Sequence, residues 1–265
     1  GEGMIVGIID TGINSDHVAF ADIGGDGYDH SNPYGEGIYR GDCATGKVVC
    51  NDKLIGVYSW PVITDTYNGL AEATGEDYQG HGSHVAGTAA GNYIENVPLL
   101  SASLDDGDGM PMGYTFPSTS GVAPHANIIS YQACDLEGCP TEAILKSYEQ
   151  AIADGVDVIN FSIGGQDSHP WSDAVEMAFL NAREAGIMVA AAAGNSGQAN
   201  GAAEFFGAID HASPWLMNVA ATTHGREVVV ETLLANPQFA DPATAGSKLP
   251  GWSSLAGGSI TTEAV

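Results

Sequence analysis

Positive charge is scarce in this 265-residue chain, which carries 7 Lys and Arg against 33 Asp and Glu and has a formal net charge of −26. Such a surface repels phosphate backbones and anionic lipid headgroups, so we expect no nucleic-acid partner and no membrane binding. Long apolar runs are missing as well. Because no stretch of 18 apolar residues occurs, a membrane-spanning helix within these residues is excluded. The acidity is typical of a solvated surface that keeps a protein soluble.

Cysteine is also rare, with four residues in two local pairs, Cys43 with Cys50 and Cys134 with Cys139. Neither pair has CxxC spacing or a histidine close by in the sequence, which argues against zinc. The even number and the local pairing favour two disulfides and an oxidising compartment, with four buried free thiols as the alternative. No signal peptide is visible. Since the chain begins directly against a strand, we expect a leader and any pro-segment to have been removed already.

Apolar runs of strand length alternate with helical patterns along the chain. The predicted strands are Met4–Ile9, Ala126–Ala133, Val156–Ser162, Ile187–Ala193 and Met217–Thr222, and the predicted helices are Thr141–Asp154 and Ser172–Ala185. This alternation indicates right-handed βαβ units. We therefore predict an α/β fold: a three-layer, doubly wound, mainly parallel sheet with helices on both faces.

Three regions depart from the βα pattern. Residues 22–80 are rich in Gly, Asp, Asn and Tyr, which predicts long surface loops closed by Cys43 and Cys50, and residues 95–120 look like a polar, glycine-rich insertion. From about Asn236 the helical pattern gives way to a Pro, Gly and Ser-rich stretch. We predict a main domain over residues 1–235 and a linker with the start of another domain over residues 236–265.

Three polar residues, Asp10, Ser162 and Asn195, each follow an apolar run, at the strand ends where a parallel sheet forms its sites. Asn195 lies on a glycine-flanked loop after the run that ends in Ala191-Ala192-Ala193. Separately, the motif HGSHVAG contains small residues that would let a helix pack tightly against the sheet, with His81 in its first turn. Either DTG or the histidine alone could be structural. Together they suggest a general base oriented by Asp10, with the Asn195 amide as an oxyanion donor.

The order and spacing of five blocks resemble the subtilase family of serine proteases. These blocks are DTGI, HGSHVAG, GVAPHA, DVINFSIGG and AAAGNSG. The resemblance implies that Asp10 and His81 are the acid and the base of a catalytic triad and that Asn195 is the side-chain donor of the oxyanion hole. It also implies a substrate-binding set of three segments: Gly138, then Ser162, Ile163 and Gly164, and then Ala192, Ala193 and Gly194. The last two segments would form opposite walls of the primary specificity pocket.

The block that carries the nucleophile of this family is missing. No G-T-S-M-A-type or GxSxG sequence occurs, so the chain alone is predicted to be proteolytically inert. One explanation is that the serine lies beyond residue 265, because the tail GWSSLAGGSITTEAV resembles the beginning of an inserted protease-associated domain. The resemblance then implies a secreted serine endopeptidase that acts on extended polypeptides and is made with an N-terminal propeptide. The alternative is a catalytically dead relative that binds peptides or serves as a scaffold.

No cofactor and no metal ligands are expected, with one alternative. Many subtilases bind calcium, and Asp105, Asp106 and Asp108 could supply part of an oxygen shell. The segment lacks the bidentate Glu of an EF-hand loop, so a solvated acidic turn is the preferred interpretation. For the substrate residue before the cleaved bond we expect broad acceptance of apolar or medium-sized side chains.

Overall fold

The computed structural model describes residues 1–65, 74–100, 110–165, 169–195, 209–221, 230–232 and 249–251. The chain divides into two units, Gly1–Ala220 and Ala221–Val265. The boundary predicted near residue 235 lies outside the described residues and stays a prediction.

The secondary structure of the first unit alternates between strands and helices. Its strands are β1 (Ile5–Asp10), β2 (Arg40–Gly41), β3 (Leu54–Ser59), β4 (Ile94–Leu100), β5 (Pro111–Thr119), β6 (Asn127–Gln132), β7 (Val158–Phe161), β8 (Met188–Ala192) and β9 (Met217–Val219). Its helices are α1 (Asp42–Thr45), α2 (Pro61–Thr64), α3 (His81–Ala90), α4 (Thr141–Asp154) and α5 (Ala174–Glu184), with a 3-10 turn at Val18–Phe20. In the second unit β10 (Val230–Thr232) pairs antiparallel with β11 (Leu249–Gly251). Within the described residues, none of the helices has the length and apolar character needed to cross a bilayer.

A seven-stranded sheet with the order β2-β3-β6-β1-β7-β8-β9 forms the centre of the first unit. Every neighbouring pair in it is parallel. Alternate residues of β1 point to opposite faces: Ile5 and Ile9 join one buried cluster, and Ile8 joins the other. The first cluster contains residues of α4 and α5, and the second contains residues of α3. The prediction of a three-layer, mainly parallel α/β fold is confirmed.

The two faces of the sheet differ in the size of the side chains that cover them. On the α4 and α5 face, the rings of Tyr148, Phe161 and Phe179 pack against one another with centroids 5.2–5.6 Å apart. On the other face, the buried residues of α3 are Gly82, Ala86 and Ala90. Because α3 carries such small side chains, its backbone can approach the sheet closely.

The prediction for residues 22–80 is wrong in part. This region contains β3, a strand that lies inside the sheet next to β6 and begins with four buried residues. Its apolar run, Leu54–Val57, is short and stands among Gly, Asp and Asn, so the composition of the region hid it. In the region predicted as an insertion, residues 95–120, β4 and β5 pair antiparallel in a two-stranded sheet of their own, separate from the central sheet.

The other predicted elements are present with small differences at their ends. The predicted helix Thr141–Asp154 has the bounds of α4 and ends at Gly155, which adopts the left-handed conformation (φ 71°) that favours glycine. The helix predicted from Ser172 begins at Ala174 instead, because Asp173 caps it by accepting hydrogen bonds from two backbone N–H groups. Four of the five predicted strands are two or three residues longer than the observed ones, since apolar runs continue past the last ladder hydrogen bond, and the first has the observed length but begins one residue early.

Candidate active site

Asp10 and His81 form a short hydrogen bond at the C-terminal edge of the sheet. Asp10 is the last residue of β1 and His81 is the first residue of α3. Oδ1 of Asp10 lies 2.7 Å from Nδ1 of the histidine ring, inside the 2.6–3.2 Å expected for an orienting contact. The carboxylate is 1% exposed, whereas the histidine side chain is 48% exposed. A buried acid thus orients a ring that solvent and ligands can reach.

Burial and hydrogen bonding act in opposite directions on the pKa of Asp10. Burial raises the pKa of the Asp10 carboxyl above its ordinary value, and the hydrogen bonds from His81 and from the Thr11 amide oppose this rise without cancelling it. The other carboxylate oxygen, Oδ2, is buried and has no hydrogen-bond partner among the described residues.

A second buried acid, Asp77, holds the start of α3 in place. Its carboxylate accepts hydrogen bonds from the backbone N–H of Gly80 (2.8 Å) and of Ser83 (2.7 Å) and from the Ser83 hydroxyl (2.7 Å). Burial alone would raise the pKa of Asp77, but its hydrogen bonds from Ser83, Gly80 and Thr11 outweigh burial and hold the pKa below its ordinary value. Asp77 therefore caps the helix that presents the histidine.

Thr11 connects this cap to the end of β1. Its hydroxyl donates to Asp77 (2.8 Å) and accepts from the backbone N–H of Gly82 (2.8 Å). Asp77 and Thr11 were not predicted from the sequence. An acid four residues before a helix could have indicated Asp77, because the first backbone N–H groups of a helix have no partner within the helix.

Two glycines allow the turn after β1 to approach the start of α3 and the segment before that helix backbone to backbone. A Cβ on Gly82 would lie 2.3 Å from the Gly12 carbonyl oxygen, and a Cβ on Gly12 would lie 2.6 Å from the Gly75 carbonyl oxygen. Gly12 also has a φ of 120°, which L side chains rarely adopt. The Gly residues of DTG and HGSH are thus required by close approach.

Asn195 lies three residues beyond the end of β8 and is exposed. Since β1, β7 and β8 are parallel neighbours, their C-terminal ends share one edge of the sheet, and Asn195 is at the same edge as Asp10. The preceding Gly194 has a φ of 86°, so the chain turns sharply there. Residues 196–208 lie outside the described residues.

The predicted substrate-binding segments lie at the same edge. Ser162, Ile163 and Gly164 directly follow β7, and Ala192, Ala193 and Gly194 end or follow β8. Gly138 is exposed in a tight turn after β6, where its N–H donates to the Asp135 carboxylate (2.8 Å). In the strand order, β6 and β7 flank β1. The topology therefore places Asp10 between the turn that carries Gly138 and the segment that begins at Ser162.

Both predicted disulfides are present, Cys43–Cys50 and Cys134–Cys139. The second closes the turn that carries Gly138. Within the described part of the chain, no group of three or more His, Cys, Asp or Glu could hold a metal ion. The aspartates proposed as calcium ligands, Asp105, Asp106 and Asp108, lie outside the described residues.

Comparison with known proteins agrees with this architecture. The Peptidase S8 model, described as the subtilase family, matches residues 1–256. The subtilisin-like protease SBT4.10 of Arabidopsis thaliana is 33% identical over 234 residues, which cover 88% of this chain and 28% of that protein. SBT1.4 of the same plant is 31% identical over 265 residues, covering 94% of this chain and 31% of that protein.

A crystal structure of a lanthipeptide protease, 21% identical, covers 74% of this chain and 41% of its own chain with a TM-score of 0.43. The chain spans less than a third of the length of the curated relatives it matches. The match over residues 1–256 confirms the resemblance seen in the motifs: the chain belongs to the subtilase family.

Proposed function

We propose that this chain is the N-terminal part of the catalytic domain of a secreted serine endopeptidase, whose nucleophilic serine lies beyond residue 265. The observation that carries the proposal is the 2.7 Å hydrogen bond between buried Asp10 and exposed His81. Family membership makes peptide-bond hydrolysis the activity to which this geometry belongs.

The proposed mechanism assigns roles to Asp10, His81 and Asn195. With Nδ1 of His81 donating to Asp10, the other ring nitrogen, Nε2, takes the proton of the serine hydroxyl as the serine attacks the substrate carbonyl. Asp10 fixes the ring orientation and stabilises the imidazolium that forms. The Asn195 amide donates to the oxyanion, and removal of such a donor typically costs about a hundred- to a thousandfold in kcat.

The polypeptide would bind as an added strand at the edge shared by β6, β1 and β7. The turn that carries Gly138 and the Ser162–Gly164 segment lie on two sides of Asp10, so an extended chain could bind between them, although the Gly138 N–H and carbonyl are themselves hydrogen-bonded to Asp135. The Cys134–Cys139 disulfide restrains the first of these segments. Two disulfides support folding in an oxidising compartment, and with it our proposal of secretion and of a propeptide in the precursor.

The test is to express the full-length gene product and to measure cleavage of unfolded casein and of fluorogenic peptides. We expect activity that is lost when a serine-directed fluorophosphonate labels the protein, while residues 1–265 alone neither cleave nor become labelled. A full-length product that binds peptides without hydrolysing them would replace this proposal with a catalytically dead, peptide-binding relative.

A further inference from the structure

A buried hydrogen-bonded pair of side chains, Glu176 and His211, joins α5 to the segment before β9. Glu176, in the first turn of α5, is 1% exposed, and His211 is 7% exposed. Oε1 of the glutamate lies 2.8 Å from Nδ1 of the histidine, and the Ser213 hydroxyl donates to the second carboxylate oxygen. Since burying a carboxylate is costly unless its oxygens are paired, the pair is a specific contact and differs from a mobile surface ion pair.

The second nitrogen of the His211 ring holds a backbone carbonyl. Nε2 lies 2.9 Å from the carbonyl oxygen of Ile163. The ring is thus between two acceptors, Glu176 and Ile163. With a hydrogen on Nε2, the ring donates to the Ile163 carbonyl while Nδ1 stays paired with the Glu176 carboxyl group. Phe161 and Phe179 pack against the ring, with centroids 5.4 and 5.2 Å away.

Ile163 is the middle residue of the segment that would pair with the substrate. In an extended strand the backbone groups of successive residues point in opposite directions. Because Ser162–Gly164 directly follows β7, continuation of its extended backbone would leave the backbone groups of Ser162 and Gly164 facing away from the held Ile163 carbonyl, as pairing with a substrate requires. The contact from His211 therefore fixes the peptide plane on which that pairing depends.

The neighbouring residue, Asp210, contacts both walls of the predicted specificity pocket. Its carboxylate accepts a hydrogen bond from the Gly165 N–H (3.1 Å), and its own N–H donates to the Ala193 carbonyl (3.2 Å). A Cβ on Gly194 or on Gly164 would lie 2.0 or 2.5 Å from that carboxylate. The segment Asp210–His211 thus joins the two walls and sets their separation.

We infer that Glu176 and His211 are positioning residues that hold the substrate-pairing wall, Ser162–Gly164, in register with the opposite wall, and thereby determine how selectively the pocket accepts a side chain. This inference rests on the proposed function. Neither residue touches the reacting atoms. This pair was not predicted from the sequence, because Glu176 lies in an amphipathic helix where an acid is usually exposed and its partner is 35 residues away.

The experiment uses the full-length enzyme and two fluorogenic peptides that differ only in the residue before the scissile bond, Leu in one and Ala in the other. His211→Ala removes the group that holds Ile163, and Glu176→Ala removes the group that orients that ring, so for both we expect kcat/KM for the preferred peptide to fall about tenfold and the Leu-to-Ala ratio to approach one. Glu176→Gln should keep the wild-type ratio, because its amide can donate to Nδ1, accept from Ser213 and leave Nε2–H for Ile163.

Tyr131→Phe is the control for lost stability alone. It removes the buried hydrogen bond that the Tyr131 hydroxyl donates to Asp154 (2.8 Å). Tyr131 lies on β6, and β1 separates this strand from β7, which leads into Ile163. If the alanine variants do not fold, His211→Gln takes their place, since the single nitrogen of its amide can take the position of only one of the two ring nitrogens. Variants that slow both peptides equally, as Tyr131→Phe is expected to do, would overturn the inference and leave the proposed function intact. A wild-type enzyme that cleaves neither peptide nor casein would overturn both.

Discussion

The two faces of the central sheet differ in the size of the buried side chains that cover them. On one face aromatic rings fill the space under α4 and α5, while on the other the buried residues of α3 are glycine and alanine. Asp10 shares its face with Ile8, two residues earlier in β1, and this is the α3 face. Close packing of small residues thus coincides with the face on which an acid must reach a histidine. The aromatic face supplies large buried side chains, whereas the small residues of α3 let that helix lie close to the strand end that carries Asp10.

Asp10→Asn should produce the largest change, and it should affect activity alone. The asparagine amide can still contact the ring, but it favours the wrong tautomer of His81, so we expect kcat of the full-length enzyme to fall about 10⁴-fold. Because burial raises the pKa of Asp10, its charge opposes folding as the pH rises from 3.8 through that raised pKa. The variant should therefore be no less stable to urea at pH 7. Reduced stability at pH 7 would contradict this assignment.

Tyr148→Ala tests the aromatic face. Truncating this ring, which is 1% exposed, should lower the free energy of unfolding by about 3–5 kcal/mol and leave kcat of the folded enzyme nearly unchanged. Tyr148→Phe is the matched control. The hydroxyl is buried without a hydrogen-bond partner among the described residues, so its removal should be neutral or stabilising in urea denaturation. A large loss of kcat in Tyr148→Ala would show that the faces are not independent.

Gly82→Ala tests the α3 face with a single methyl group. The new Cβ would meet the Gly12 carbonyl at 2.3 Å, so α3 must shift, at a cost of about 1–3 kcal/mol in stability and with a loss of kcat. In Gly87→Ala, on the same helix, the added Cβ meets no atom within 4 Å, and we expect a gain of about 0.5–1 kcal/mol with unchanged kcat. Equal behaviour of the two variants in urea denaturation and peptide cleavage would remove the close-approach explanation.

Among the variants expected to lose stability, Asp77→Asn should lose the least. The pH dependence of that loss identifies the Asp77 charge as its cause. The folded-state pKa of Asp77 is lowered, so its stabilisation is present above the ordinary value of 3.8 and is lost as the pH falls through the lower pKa of the folded state. At pH 7 we expect the variant to be less stable by about 1 kcal/mol. The urea midpoints of the two proteins should converge in acid. A constant difference at every pH would mean that the Asp77 charge is not what stabilises the cap.

Sequence patterns located those features that depend on local chemistry. The alternation of strands and helices predicted the parallel sheet, and HGSHVAG placed His81 at a helix start beside the strand end at Asp10. β3 was missed because membership in a sheet depends on pairing with a distant strand, here β6, which a six-residue run does not reveal. The Glu176–His211 contact was missed for the same reason: its partners are 35 residues apart. The roles of Asp10, His81 and Asn195 stay predictions until the variants are measured.

The central place of β1 in the sheet has a consequence for biosynthesis. The backbone N–H of Ile5 donates a hydrogen bond to the carboxylate of Asp157, 152 residues later in the chain. On its two sides, β1 pairs with β6 and β7. At about 5–20 residues per second, a ribosome needs roughly 8–30 s to make the intervening chain. The strand that ends in Asp10 is thus made before both of its neighbours, and it cannot take its place in the sheet until they exist. Contacts of such long range slow folding, and for that interval an apolar strand remains open to aggregation.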